Sequence, residues 1–497
     1  MSSTSIDARS VVASDWGWGP VCVALGLCVG GAVVALGDRG LLVLPLLAIA
    51  LLLVPWLLKD PYRLFLFLLL TWPLLTFRMQ ITLPAGLPDI KYERVVLAAV
   101  LGMVLTRWVV LRERLPRLDW WVCAFALLTV LSYARVAVMG GVAAPELSRL
   151  VAVVVQPLGA YWLVLHLVDS RRKCAWLLAT IVMSCVAICV TGLYEQVLQL
   201  EFSAFDTGPG GAPVERMLDG PGGRAAGVML NPAVYGAVMV VGALAAICWR
   251  DHVVQVGGRT LLGLAAGLLL YGVFASYTRS AWLSGLVMVP LMLVALPRMR
   301  RRMTLAVSAG VVVTVCLLSY VMQHELVERR LLERGNVVGR VERMVWSLQQ
   351  VPEHPFLGWG AGAADVLMSR VFQVGGFDHS HNSYLTMLID GGLLLFVCFL
   401  AILARWFQRF VRVCRAAPRH SFERSVAVAM CGFVLAWLVS GMFLELKHFG
   451  YFYTLFWIAG AMMERLAELF AGTEDARAER LRSWRDDVPA CGADTGR

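Results

Sequence analysis

Three arginines and two histidines are the side chains of this sequence best placed to do chemistry. Arg279 stands in FASYTRSAWLSG, at a tight turn between two apolar runs. A guanidinium at such a helix mouth needs an anionic partner. Arg224 lies in GPGGRAAGVMLNPAVYG and Arg340 in GNVVGRVERMVWSLQQ. Guanidinium groups bind phosphate oxygens through two parallel hydrogen bonds and stay charged at any working pH. Several of them converging on one cavity would suit a pyrophosphate headgroup.

His379 and His381 precede an apolar helix in FDHSHNSYLTMLIDGGLLLF. A histidine at a helix start is often an incidental polar residue. Two histidines at this spacing also suit zinc, but a zinc site needs a third and a fourth ligand, and only His354 and Asp378 are near in sequence. The remaining reading is a neutral imidazole, His381, acting as general base near pH 7. Asn382 and Ser383 are suited to cap the helix that follows. Asp390, about two turns further on, is an acid in an apolar helix, costly if alone and therefore a functional flag.

These residues must be positioned by helices in a membrane. The chain has 497 residues, 59% apolar and only 16% charged. Soluble domains run nearer 45–50% apolar and about 25% charged. A soluble multi-domain enzyme, a disordered protein and a nucleic-acid binder are thereby excluded. The twelve cysteines form no CxxC pair and sit mostly in apolar runs, where thiols pack as small hydrophobes. The first fifteen residues are polar and mixed in charge, so no removable signal peptide is expected.

About fourteen apolar runs are candidate spans: 18–36, 41–58, 63–77, 95–111, 120–138, 148–168, 174–194, 233–249, 260–275, 279–296, 303–321, 384–404, 426–444 and 449–463. Those at 63–77 and 449–463 are short. Lys and Arg number 44 against 34 acids, a formal net charge of +10. The basic connectors are 112–117, 171–173, 298–302 and 405–424, with a basic tail after Arg465. Placing all of them in the cytoplasm preserves the alternation of spans and puts both termini inside.

The expected fold is therefore all-α: a polytopic membrane protein of about 12–14 spans with a large outer loop containing surface helices. Its expected parts are N-terminal spans (1–198), a first outer loop (199–232), central spans (233–321), the large outer loop (322–383), C-terminal spans (384–463) and a cytoplasmic tail (464–497). The large loop opens with charge and apolar residues mixed at helical spacing, which suits a helix lying on the membrane face.

No GxxxxGK[ST] loop, no GxGxxG after a strand and no GxSxG elbow occurs, and no Asp-x-Asp pair lies in the outer segments. An ATP-driven pump and a nucleotide-sugar transferase are disfavoured. The energy of a reaction on the outer face must come with its substrate.

Four segments resemble the O-antigen ligase and O-antigen polymerase superfamily of bacterial inner-membrane glycan transferases. GGRAAGVMLNPAVYG is similar to its Arg-x-x-Gly segment, and ASYTRSAWLSG to its Thr-Arg-Ser turn. GRVERMVWSLQQVPEHPFLGWGAG resembles the segment with Arg, Trp and His-Pro-x-x-Gly-x-Gly. HSHNSYLTMLIDGG is similar to the His-Asn-Ser segment ending in an acid and a glycine. The four occur in order across about 170 residues, all in segments the charge pattern assigns to the outer face.

The resemblance implies transfer of a glycan from undecaprenyl pyrophosphate to a hydroxyl acceptor, either a polysaccharide repeat unit or lipid A core. It implies inversion, no metal and no cofactor. Arg224, Arg279 and Arg340 would bind the pyrophosphate, His381 would be the base, and His379, Asn382 and Asp390 would support them. The lipid bilayer is a partner, a chain-length regulator fits beside it, and nucleic acid does not. The alternatives are a transporter or flippase of lipid-linked oligosaccharide and a structural membrane subunit. Transporters tend to keep polar residues near the midplane, whereas here they gather in outer loops and helix mouths.

Overall fold

A computed structural model describes residues 56–75, 80–81, 89–112, 115–138, 144–198, 224–296, 335–372, 381–471 and 474–486. Its strands among these residues are one short antiparallel pair, β1 (Gln80–Ile81) with β2 (Ile90–Lys91). The helices are α1 (Pro61–Leu75), α2 (Tyr92–Leu111), α3 (Trp120–Val138) and α4 (Ala144–Leu150), the last passing through a π turn into α5 (Gln156–Leu167). Next come α6 (Arg171–Leu198), α7 (Pro232–Arg250), α8 (Val256–Ala275), α9 (Arg279–Ala295), α10 (Gly335–Gln350) and α11 (Ala363–Phe372). The last four are α12 (Ser383–Ala416), α13 (Phe422–Gly441), α14 (Gly450–Leu469) and α15 (Glu474–Asp486).

Seven of the described helices are long and apolar enough to cross a membrane. The chain is an all-α, multi-pass membrane protein. Expected spans at 18–36 and 303–321, and all but the end of 41–58, lie outside the described residues. The segment expected at 449–463 is longer than its apolar run: α14 continues to Leu469 because Glu464, buried, is met by Arg409 and by the Trp406 indole N–H. The span expected at 384–404 likewise extends to Ala416, since Arg405 and Arg409 reach Asp119 at 2.7 and 3.2 Å.

Three helices, α7, α13 and α14, are buried on nearly every side. Around them pack α5, α6, α8, α9 and α12. Trp406, Trp437, Trp457, Tyr161 and Phe456 fill the centre, with the Trp437 and Phe456 rings 4.4 Å apart. Lipid drives no helix association by hydrophobicity, so close van der Waals packing has to hold such a bundle. The peripheral helices instead expose apolar residues, among them Val109, Leu264, Leu286 and Val294. This surface is suited to acyl chains.

Charge divides the bundle into two ends. Arg171 pairs with Glu423 at 3.7 Å, Arg465 donates to the Val168 carbonyl, and Arg424 donates to the Ala295 carbonyl. With the Asp119 pairs, the described parts of the basic connectors gather at one end. The segments holding Arg224, Arg279, Arg340 and His381 lie at the other.

The helix that carries His381 at its head is broken at Gly392, whose φ of +68° and ψ of −172° are not helical. Such backbone is tolerated at membrane depth only where its polar groups find partners. Residues 355–360 supply them. The N–H groups of Leu393 and Leu394 donate to the carbonyls of Pro355 and Phe356, at 2.7 and 3.2 Å. The carbonyls of Ile389 and Asp390 accept from Trp359 and Gly360, at 2.7 and 3.0 Å. Helix α3 clamps this wedge: Ser132 Oγ donates to the Asp390 carbonyl at 2.8 Å, and Arg135 to the Gly358 carbonyl at 2.6 Å.

Gly392→Ala tests the wedge. A Cβ there would fall 2.5 Å from the Gly358 nitrogen and closer still to the Phe356 carbonyl, in a conformation that L side chains rarely adopt. The variant is expected to lose about 3 kcal/mol or more, from strain of 1–3 kcal/mol plus the clash. An unchanged thermal midpoint in detergent would remove the wedge's structural role.

Candidate active site

The arginine corner is built from three separate segments. Residues 276–278 form the turn between α8 and α9, and Arg279 is the first residue of α9, exposed at its mouth. The Arg224 segment lies against this turn. Ala225 N–H donates to the Ala275 carbonyl at 3.0 Å, while Arg224 donates to the Ser276 carbonyl at 3.4 Å and to Thr278 Oγ1 at 3.0 Å. Arg224 is thereby fixed one residue from Arg279.

Arg340 comes from α10, which packs against α12. Burial, then the charges of Arg279 and Arg343, hold its guanidinium below the ordinary arginine value. Three like charges therefore crowd at this corner. Among the described residues neither Arg279 nor Arg340 makes an ion pair. Crowded cations in a part-buried place are costly unless an anion joins them. A ligand with several negative oxygens would relieve that cost.

His381 stands at the same end. Helix α9 packs on α13, with Ser284 Oγ 3.4 Å from Ser440 Oγ. Just beyond, the Met442 carbonyl accepts from the Asn382 amide at 3.4 Å. Ser383 Oγ donates to the Leu444 carbonyl at 2.7 Å and accepts from Leu446 N–H at 2.9 Å. The head of α12 is thus pinned to the chain that follows α13. Asn382 caps α12, its side-chain oxygen accepting from Tyr384 and Leu385 N–H. His381 itself has a φ of +51°, a left-handed conformation uncommon for a residue with a side chain. Such strain persists where neighbours over-determine it, often at functional sites.

Asp390 sits elsewhere, in an ion-pair network that fastens the wedge. One carboxylate oxygen accepts from Ala364 N–H at 3.1 Å and the other from Lys447 at 2.7 Å. Lys447 also reaches Glu445 at 3.0 Å. Burial lowers the Lys447 value, but Asp390, Glu445 and Asp365 outweigh it and raise it well above the ordinary lysine range. His448 lies 3.4 Å from Glu445 and 3.9 Å from Asp365, which also faces Arg149. Asp365, Glu445 and His448 bring one ligand atom each within 4.8 Å of one another, a spacing a metal ion could use. Lys447 and Arg149 already supply positive charge there, so the group reads as an ion-pair cluster.

His379 and Asp378 lie outside the described residues. His354 is described and stacks edge-on against Trp359, with ring centroids 4.2 Å apart.

Two residues that shape this end escaped the sequence reading. Lys447, the ion partner of Asp390, stands in LELKHFG, and a lysine and an acid between two apolar runs were its available signal. Glu195 is the other. Buried near the end of α6, its carboxylate accepts from Ala226 N–H at 3.2 Å and Gly227 N–H at 2.6 Å. It holds the loop that presents Arg224, yet no local spacing ties it to residues more than thirty positions on.

Residues 264–400 match a family model described as O-Antigen ligase, just over a quarter of the chain. The match takes in Arg279, Arg340, His381, Asp390 and Gly392, and stops short of Arg224. No curated protein matches the chain.

Removing the Glu195 carboxylate should expose its role. Glu195→Ala leaves two buried N–H groups without that acceptor, at about 1–3 kcal/mol each. Glu195→Gln keeps an oxygen acceptor and should recover most of the loss. Equal thermal midpoints for the alanine variant and the parent would show that the carboxylate does not hold this loop.

Proposed function

We propose, from the premise that this chain belongs to the O-antigen ligase/polymerase superfamily, that it transfers a glycan from undecaprenyl pyrophosphate to a hydroxyl acceptor. The acceptor is a polysaccharide repeat unit or lipid A core, and the reaction takes place at the periplasmic face of a bacterial inner membrane. The observation that carries this reading is the crowding of Arg340 with Arg279 and Arg343, beside Arg224. A pyrophosphate is the kind of anion such a corner would recognise, by paired guanidinium hydrogen bonds.

In this reading the acceptor hydroxyl oxygen attacks the anomeric carbon. The bond from that carbon to the pyrophosphate oxygen breaks, and its electron pair leaves with the pyrophosphate. Arg224, Arg279 and Arg340 stabilise the charge that grows there, and His381 accepts the hydroxyl proton. Direct displacement inverts the anomeric configuration. One preorganised donor of this kind commonly contributes about 2.7–4 kcal/mol to barrier lowering, and a general base contributes about 10²–10⁴-fold. His379 and Asn382 support His381, and Asp390 supports the wedge behind it. Both termini lie in the cytoplasm, with the basic connectors.

His381→Ala should reduce transfer by about 10²-fold or more while the protein stays inserted and folded. Normal transfer by that variant would remove the general-base role. Arg279→Lys keeps the charge but loses the bidentate fork. It should impair turnover of lipid-linked donor in proteoliposomes, and an unchanged rate and donor affinity would argue against phosphate binding there. The same assay separates the activities. Chain lengthening without lipid A core indicates a polymerase, transfer only with core indicates a ligase, and donor crossing the bilayer without product indicates a transporter.

A further inference from the structure

Helix α10 carries more than Arg340. At about 100° per residue its exposed side divides into two arcs. Leu348, Val341 and Val345 form one, each 50–54% exposed. Gln349 and Glu342, also exposed, form the next. Ser347 is buried on the far side, and Arg340 and Arg343, both half-buried, flank it. The helix thus has an inward cationic face, a polar edge toward water and an apolar stripe that no described residue covers.

The stripe is not isolated. Just beyond α10, in the wedge, Phe356 is 64% exposed and Leu357 is exposed as well. The Phe356 carbonyl accepts from Leu394 N–H, which puts Phe356 beside the outward face of α12. That face, with Leu393, Leu394 and Val397 exposed, belongs to one of the helices able to cross a membrane. The apolar surface therefore runs from a spanning helix, across the wedge, toward the outer side of α10.

We propose that α10 is embedded in the lipid–water interface of the bilayer, with Leu348, Val341 and Val345 among the acyl chains and Glu342 and Gln349 in water. A helix divided in this way lies in the interface plane, its apolar face sunk past the headgroups. The placement sets Arg340 at the depth of lipid phosphates. The partner is the phospholipid surface itself. The inference rests on the exposed faces of α10 and α12, not on the reading of the arginines, so the two can fail separately.

The test uses the full chain in bilayers of phosphatidylethanolamine and phosphatidylglycerol. Cysteine is introduced as Val345→Cys, Leu348→Cys or Glu342→Cys and labelled with bimane, the parent protein treated alike giving the background from native thiols. Lipids brominated near the top of the acyl chain should quench the labels at 345 and 348 roughly twofold or more better than the label at 342, and aqueous iodide should show the reverse order. Equal iodide quenching at all three positions would overturn the proposal, because the helix would then stand in water. Failure of both quenchers at 345 and 348 would overturn it too, because protein would then cover the stripe.

Discussion

The exchange of backbone hydrogen bonds at Gly392 is the constraint on which this end of the molecule depends. A spanning helix cannot break in lipid unless its freed groups find partners. Here they find residues 355–360, so the segment between α10 and α11 is drawn back into the bundle. The same wedge follows α10 directly and so limits where Arg340 can stand. Asp390, immediately before the two glycines, is fastened by Lys447 from the chain after α13. One irregularity in α12 therefore ties together residues 355–360, the chain that follows α13 and the C-terminal half of α3.

The excess of 44 Lys and Arg over 34 acids has two explanations at two ends. At one end arginines meet carboxylates or carbonyls, as Arg405 and Arg409 meet Asp119 and Arg424 meets Ala295. Those charges complete helix ends. At the other end Arg279 and Arg340 repel one another, and among the described residues neither is paired with a carboxylate. The net charge of the chain is silent on this difference. Where the like charges are left crowded is what distinguishes the arginines proposed to bind the donor from those that complete helix ends.

Much of this was legible in the sequence because lipid imposes a simple rule on length and composition. Apolar runs such as 233–249 and 260–275 became α7 and α8 with little shift. Arg279 could be singled out because a turn too short to hide it lay between two such runs. The break at Gly392 could not, since MLIDGGLLLF reads as uninterrupted apolar helix and the partners that permit the break lie more than thirty residues upstream. Glu195 and Lys447 escaped for the same reason: each acts on a segment remote in the chain, and no periodicity encodes that pairing. Asp390 stands out in the sequence as an acid in an apolar helix, and its partner is Lys447, which holds the architecture.

Holding and acting are assigned to different groups at this end. Crowded cations would drive their segments apart, so something other than the arginines has to keep them in register. Glu195 grips the backbone of Ala226 and Gly227, leaving the Arg224 side chain to reach the turn. Arg224 itself donates to the Ser276 carbonyl and to Thr278 Oγ1, which fixes its guanidinium against the turn. Asn382 and Ser383 fix the head of α12 through its backbone and through Leu444 and Leu446. In the proposed function a site arranged this way would keep its charges crowded before substrate arrives, because the hydrogen bonds that resist the repulsion are made by neighbours. The electrostatic cost would then favour the arrival of an anion, and the geometry proposed to receive it would not have to be rebuilt.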